Sequence, residues 1–164
     1  MSEPTPYALS QLFSTLIGRK VTFSQTTAAP ATQIKQMYAI YTVFFPDENG
    51  LVVKADLPLL GSLAGVLVGL PDSAVQERAK VMPLEELLRD AIYEVLNIAS
   101  AVITTEGRAV LTKMVADPVL IDGAAGKTFK RPDYRSYFNV LVDGYQGGKF
   151  TILAPAPPVK TVTL

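Results

Sequence analysis

An α+β domain, with an antiparallel sheet packed against two long helices, is the fold class this 164-residue sequence predicts. Three observations carry that prediction. Some segments repeat apolar residues at helical spacing, others alternate with the period of two that strands show, and the order along the chain is helix, strands, helix, helix, strands.

Residues 7–18 place Leu9, Leu12, Phe13, Leu16 and Ile17 at helical spacing, and Gly18 follows as a natural C-terminal cap. Val21 and Phe23 alternate with polar neighbours, as in a short strand, and residues 25–34, rich in Thr, Ala and Pro, read as a loop. Met37 to Phe45 is rich in β-formers, with Tyr38, Tyr41, Phe44 and Phe45 read as sheet core rather than as a binding platform. Pro46-Asp47-Glu48-Asn49-Gly50 is read as the turn of a hairpin, because Asn-Gly accepts positive φ, and Leu51 to Ala55 as the returning strand. Leu57 to Leu70 is an apolar helix ended by Gly69 and Pro71, whose Gly61 and Gly65 predict close packing against another element. Residues 83–104 form the longest predicted helix, with Pro83 at its first position, Glu85 and Glu86 at the positive end of the dipole and Gly107 closing it.

Beyond it, Val110–Val115, Val119–Ile121, Tyr137–Val142 and Phe150–Leu153 alternate as strands. Asp122 to Arg135 reads as a polar loop, and Gly144 to Gly148 as a hairpin connection, since no Gly-Lys-Ser/Thr follows to make it a phosphate loop. Pro155, Pro157 and Pro158 end the last strand. The expected organisation is one domain over 1–158 and a tail over 159–164.

Composition narrows the chemistry. Lys plus Arg equals Asp plus Glu at 15 each, so the basic excess of a nucleic-acid binder is missing. Lys127, Lys130, Arg131 and Arg135, with Phe129 and Tyr134, are too few in a neutral chain to reverse that reading. Cysteine and histidine are both absent, which removes disulfides, thiolate nucleophiles, Ser-His and Cys-His pairs and the commonest metal ligands. No cofactor of its own is expected. The longest uncharged run, Leu57 to Pro71, is shorter than the ~20 residues a membrane span needs, and the N-terminus has no signal-peptide pattern, so a cytoplasmic, non-membrane protein is expected.

On a helix over 83–104, Leu84, Leu88, Ala91, Ile92, Val95, Ile98, Ala99, Val102 and Ile103 form a core stripe. Asp90, Glu94 and Asn97 fall within roughly 60° of one another on the opposite side. Spacings of four and three make them neighbours along one ridge that has no lysine beside its acids. Asn97 is also a poor choice for a helix interior, where its amide competes with the backbone. A plain solvated helix face is the alternative.

Residues 88–99, Leu-Arg-Asp-Ala-Ile-Tyr-Glu-Val-Leu-Asn-Ile-Ala, resemble the signature of the CheX/CheC family of response-regulator phosphatases, Asp/Ser-x-x-x-Glu-x-x-Asn followed by apolar residues. The surroundings are similar too: a hairpin like Tyr41–Ala55, then a small-residue helix ending like Leu67–Pro71, then the motif helix. One copy of the motif makes the chain CheX-like, although Ser100 and Ala101 stand where the family often has Gly and Asn. The resemblance implies a CheC-like fold, a homodimer, and hydrolysis of the aspartyl phosphate on a CheY-type receiver that carries its own magnesium. It makes Glu94 and Asn97 the catalytic residues and Asp90 a partner-binding one. It also admits an alternative, a receiver-binding adaptor of the same fold without catalysis.

Overall fold

The first helix, α1 (Pro6–Ile17), is closed at both ends by its own sequence. The Thr5 hydroxyl accepts from Ala8 N–H at 3.0 Å, and Gly18, at φ 70°, adopts the left-handed cap in which its N–H reaches Ser14 O. Two α1 serines then receive the next strand: Ser10 Oγ accepts from Phe23 N–H and Ser14 Oγ from Val21 N–H, both at 2.9 Å. This computed structural model describes residues 4–27, 33–44, 48–104 and 108–155.

The strands are β1 (Val21–Thr26), β2 (Gln36–Phe44), β3 (Glu48–Asp56), β4 (Arg108–Val115), β5 (Tyr134–Val142) and β6 (Tyr145–Ala154). They form one antiparallel sheet in the order β1-β5-β6-β3-β2-β4, with β1 and β4 at its edges. The fold is α+β. The helices α2 (Leu57–Val68) and α4 (Glu86–Ala99) lie with α1 on one face, where Leu9, Phe13, Tyr41, Leu51, Leu59, Leu63, Leu88, Ile92 and Val95 lose all contact with water. Phe13, Phe23, Phe138 and Phe150 join this core through ring centroids 5.1–6.1 Å apart, three of the four contacts edge-on.

Gly61 and Gly65 do mark a close approach. A Cβ on Gly65 would meet Val75 Cγ2 at 2.2 Å and one on Gly61 would meet Val75 Cγ1 at 3.0 Å. Val75 belongs to α3 (Asp72–Ala79), a short helix the sequence did not announce because only Val75 and Ala79 of its eight residues are buried.

Several expectations are corrected, the first being Phe44, expected in the sheet core but half exposed on β2. Asn49 and Gly50 sit inside β3, opposite Val43 and Thr42, so neither is a turn residue; Phe45, Pro46 and Asp47 lie outside the described residues. The long helix begins at Glu86, three residues after Pro83, because Glu85 is still extended (φ −61°, ψ 151°) as its N-cap, and it ends at Ala99 with tighter turns beyond. Val119–Ile121 is not a strand: Pro118–Leu120 is a 3₁₀ turn, held by the Asp117 carboxylate accepting from Val119 N–H at 3.0 Å. The expected loop from Asp122 to Arg135 contains α5 (Gly123–Lys130), and Gly147 and Gly148 belong to β6, leaving Asp143 and the positive-φ Gly144 as the hairpin turn. Gly107, Pro157, Pro158 and the tail 159–164 lie outside the described residues.

Helix α5 covers the second face of the sheet. Ile121 and Ala125 pack there with Tyr38, Ile40, Val52, Val115 and Leu153, and Phe129 meets the Tyr38 ring edge-on at 5.6 Å. Phe129 is therefore part of this packing. The cations Lys127, Lys130, Arg131 and Arg135 are exposed beside α5, across the sheet from α4.

Candidate functional site

Helix α4 presents its site by burying the other side. Leu88, Ala91, Ile92, Val95, Leu96 and Ala99 are buried, which turns Asp90, Glu94 and Asn97 into solvent along one ridge. Leu96 takes the core place expected of Ile98, which is only half-buried near the end of the helix. Among the described residues, neither the Glu94 carboxylate nor the Asn97 amide has a hydrogen-bond or ion-pair partner. Asp90 is paired with Arg89 at 3.8 Å, but both side chains are more than half exposed, so water screens the contact. Arg78 fixes the entry to the helix by donating to Glu85 at 2.9 Å.

Two apolar side chains flank the acids and were not singled out by the sequence pattern. Leu87 is 54% exposed and Tyr93 38% exposed, a large apolar presence for a face that is otherwise polar. Counting by 100° per residue would have placed both beside Asp90. Beneath the ridge, the hydroxyl of the fully buried Tyr41 on β2 donates to Leu96 O at 2.5 Å.

Burial, and in second place the Tyr93 phenol, push the Tyr41 hydroxyl far above its ordinary value; burial followed by the Asp117 carboxylate raises Tyr38. A phenol raised in the folded protein stays neutral there while the unfolded chain ionises near pH ~10. The resulting stabilisation is fully present below that pH and is lost as pH rises above it, by about 1.4 kcal/mol per pH unit for the buried Tyr41, with Tyr38 acting in the same direction. Thermal melts should therefore fall steeply above pH ~10. The fall should be shallower in Tyr41→Phe; an identical slope in that variant would show that Tyr41 does not govern the alkaline limb.

Among the described residues no group of three or more acidic side chains gathers as a metal site, and no helix is long and apolar enough to cross a membrane.

A six-stranded antiparallel sheet, helices on its main face and an exposed acid–amide ridge on one of them define the class: an α+β domain. No protein-family profile and no curated protein matches the chain. Solved structures do. The middle domain of FliM from Vibrio alginolyticus matches with a TM-score of 0.62 and 14% identity over 92% of this chain and 88% of that one. FliY from Thermotoga maritima matches with a TM-score of 0.54 and 14% identity, covering 90% and 82%. A CheX from Desulfovibrio desulfuricans matches at 0.44 and 12% identity, covering 89% and 91%. The chain has the CheC/CheX/FliM type of fold.

Proposed function

We propose that the chain hydrolyses the aspartyl phosphate of a CheY-type receiver domain and does so with the α4 ridge. The observation that carries this reading is the side-by-side exposure of Glu94 and Asn97, with no protein partner among the described residues, at the spacing of the motif they resemble. Phosphoryl transfer runs through a loose transition state, so a catalyst contributes mainly positioning and charge stabilisation. A chain without histidine or cysteine can supply that. The receiver brings the magnesium and a lysine. The Asn97 amide both donates and accepts, and so can hold a water in line with the scissile P–O bond. Glu94 pairs with the receiver lysine and sets the docking register, and Asp90 extends the contact. Leu87 and Tyr93 add apolar surface beside them.

The test is decay of a phosphorylated receiver with magnesium, in the presence of the wild type and of Asn97→Ala. Acceleration by the wild type should fall by roughly a hundredfold or more in the variant, with receiver affinity and melting temperature unchanged. Equal acceleration by the two proteins would remove Asn97 from the chemistry.

A second reading is an adaptor that binds a receiver or another signalling protein without hydrolysis. What favours it is the company of the fold: FliM domains of Helicobacter pylori have been crystallised as complexes with SpeE and with FliG. On that reading the receiver binds, its phosphate decays at its intrinsic rate, and Asn97→Ala changes nothing.

A further inference from the structure

The Leu96 carbonyl that receives the Tyr41 hydroxyl belongs to the peptide unit whose nitrogen is that of Asn97. In a continuing α-helix that carbonyl would take Ser100 N–H. Here Ser100 N–H donates to Asn97 O at 3.2 Å, Ala101 N–H to Ile98 O at 3.2 Å and Val102 N–H to Ala99 O at 3.0 Å. Bonding thus tightens to i→i−3 over Asn97–Val102, before Ile103 N–H returns to Ala99 O at 3.2 Å, and the phenol satisfies the carbonyl that the tightening releases. Asn97 is held on both sides, by Tyr41 through the preceding peptide and by Ser100 through its own carbonyl.

The strand beneath is shaped to deliver that hydroxyl. The β2–β4 register shifts between Ile40 and Tyr41, leaving Thr112 without a partner across the ladder. The Thr112 hydroxyl donates to Ile40 O at 3.0 Å and holds the irregularity closed. Bulges of this kind raise the local twist and re-aim side chains. A buried hydrogen bond in a low-dielectric core is also costly to leave half-made, which keeps the geometry single.

We infer that Tyr41 is a positioning residue for Asn97: its hydroxyl fixes the Leu96–Asn97 peptide and so where the Asn97 amide stands on the ridge. The functional consequence rests on the phosphatase reading; the structural one does not. Burial pushes the ionisation of the phenol up, so it stays a donor through neutral pH. A water-orienting amide tolerates little displacement, since misplacement by ~1 Å can cost about a hundredfold in rate.

The experiment compares Tyr41→Phe, which keeps the ring and removes the hydroxyl, with Tyr38→Phe, which removes a phenol from the opposite face of the sheet. The first readout needs no activity: the side-chain amide NMR signals of Asn97 should shift and broaden in Tyr41→Phe and stay in place in Tyr38→Phe. The second readout is turnover on a phosphorylated receiver, which should drop roughly tenfold in Tyr41→Phe with affinity kept within about twofold. Unaltered Asn97 signals in Tyr41→Phe, or equal changes in Tyr38→Phe, would overturn the assignment. A wild type inactive on every receiver would sink the phosphatase reading alone, since the amide signals still judge the positioning. Should Tyr41→Phe not fold, Thr112→Val carries the same comparison, because it loosens the bulge without touching the core; Asn97 signals that ignore it would overturn the assignment equally.

Discussion

Gly50→Ala should be among the most destabilising single-methyl changes in this protein. A Cβ at position 50 would lie 2.2 Å from Ala125 N, 2.4 Å from Ala125 Cα and 2.6 Å from Ala124 C. All three are backbone atoms, so no rotamer change relieves the overlap; α5 must lift from β3 or β3 must bend. Lifting α5 breaks the bond from the Thr128 hydroxyl to Gly50 O, 2.7 Å long and buried. It also wets Val52, Ile40 and Leu153, which α5 keeps dry. Overpacking of this kind costs about 3 kcal/mol, which in a domain of this size lowers the melting temperature by roughly 10 °C. The loss should be confined to stability. Helix α4 packs on the other face, so the Asn97 amide signals should be those of the wild type at temperatures where both proteins are folded. A melting temperature within ~2 °C of wild type would show that α5 is not seated as described.

The same residue shows where the sequence could be read and where it could not. Asn49-Gly50 looks like a hairpin turn because a turn is the commonest reason for that pair, yet this glycine exists to admit a helix 75 positions downstream, and nothing local says so. Helix α5 itself was hidden because Gly-Ala-Ala-Gly carries no apolar stripe; it forms against a surface built by other strands. By contrast α1 and α2 ended where Gly18 and Gly69 announced, since a left-handed cap is a local demand that glycine meets alone. Helix α4 was legible for a related reason. Its buried and wet sides are so distinct that the ridge of Asp90, Glu94 and Asn97 followed from counting alone. The hold of Tyr41 on Leu96 did not, because it joins residues 55 positions apart through one atom on each.

Reversing the charge at position 94 should harm function more than deleting the amide at 97, and should leave the fold untouched. Glu94 is exposed in the middle of α4 and has no partner among the described residues, so Glu94→Lys removes no internal contact. Lysine is also as good a helix former as glutamate, and the stability change should stay within about 0.5 kcal/mol. The partner feels a different change. If Glu94 pairs with the receiver lysine, Glu94→Lys sets two ammonium groups against each other at the centre of the contact, and like charges so placed cost several kcal/mol. Receiver affinity should fall by roughly a hundredfold or more, taking the acceleration of phosphate loss with it. Glu94→Gln, which removes the attraction without adding repulsion, should fall between the two. Asn97→Ala should separate from both by keeping affinity while losing turnover. Titration calorimetry against the receiver, beside a thermal melt of each variant, reads both quantities. Glu94→Lys that binds as tightly as wild type would take the ridge out of the interface altogether, whatever the rate of phosphate loss proved to be.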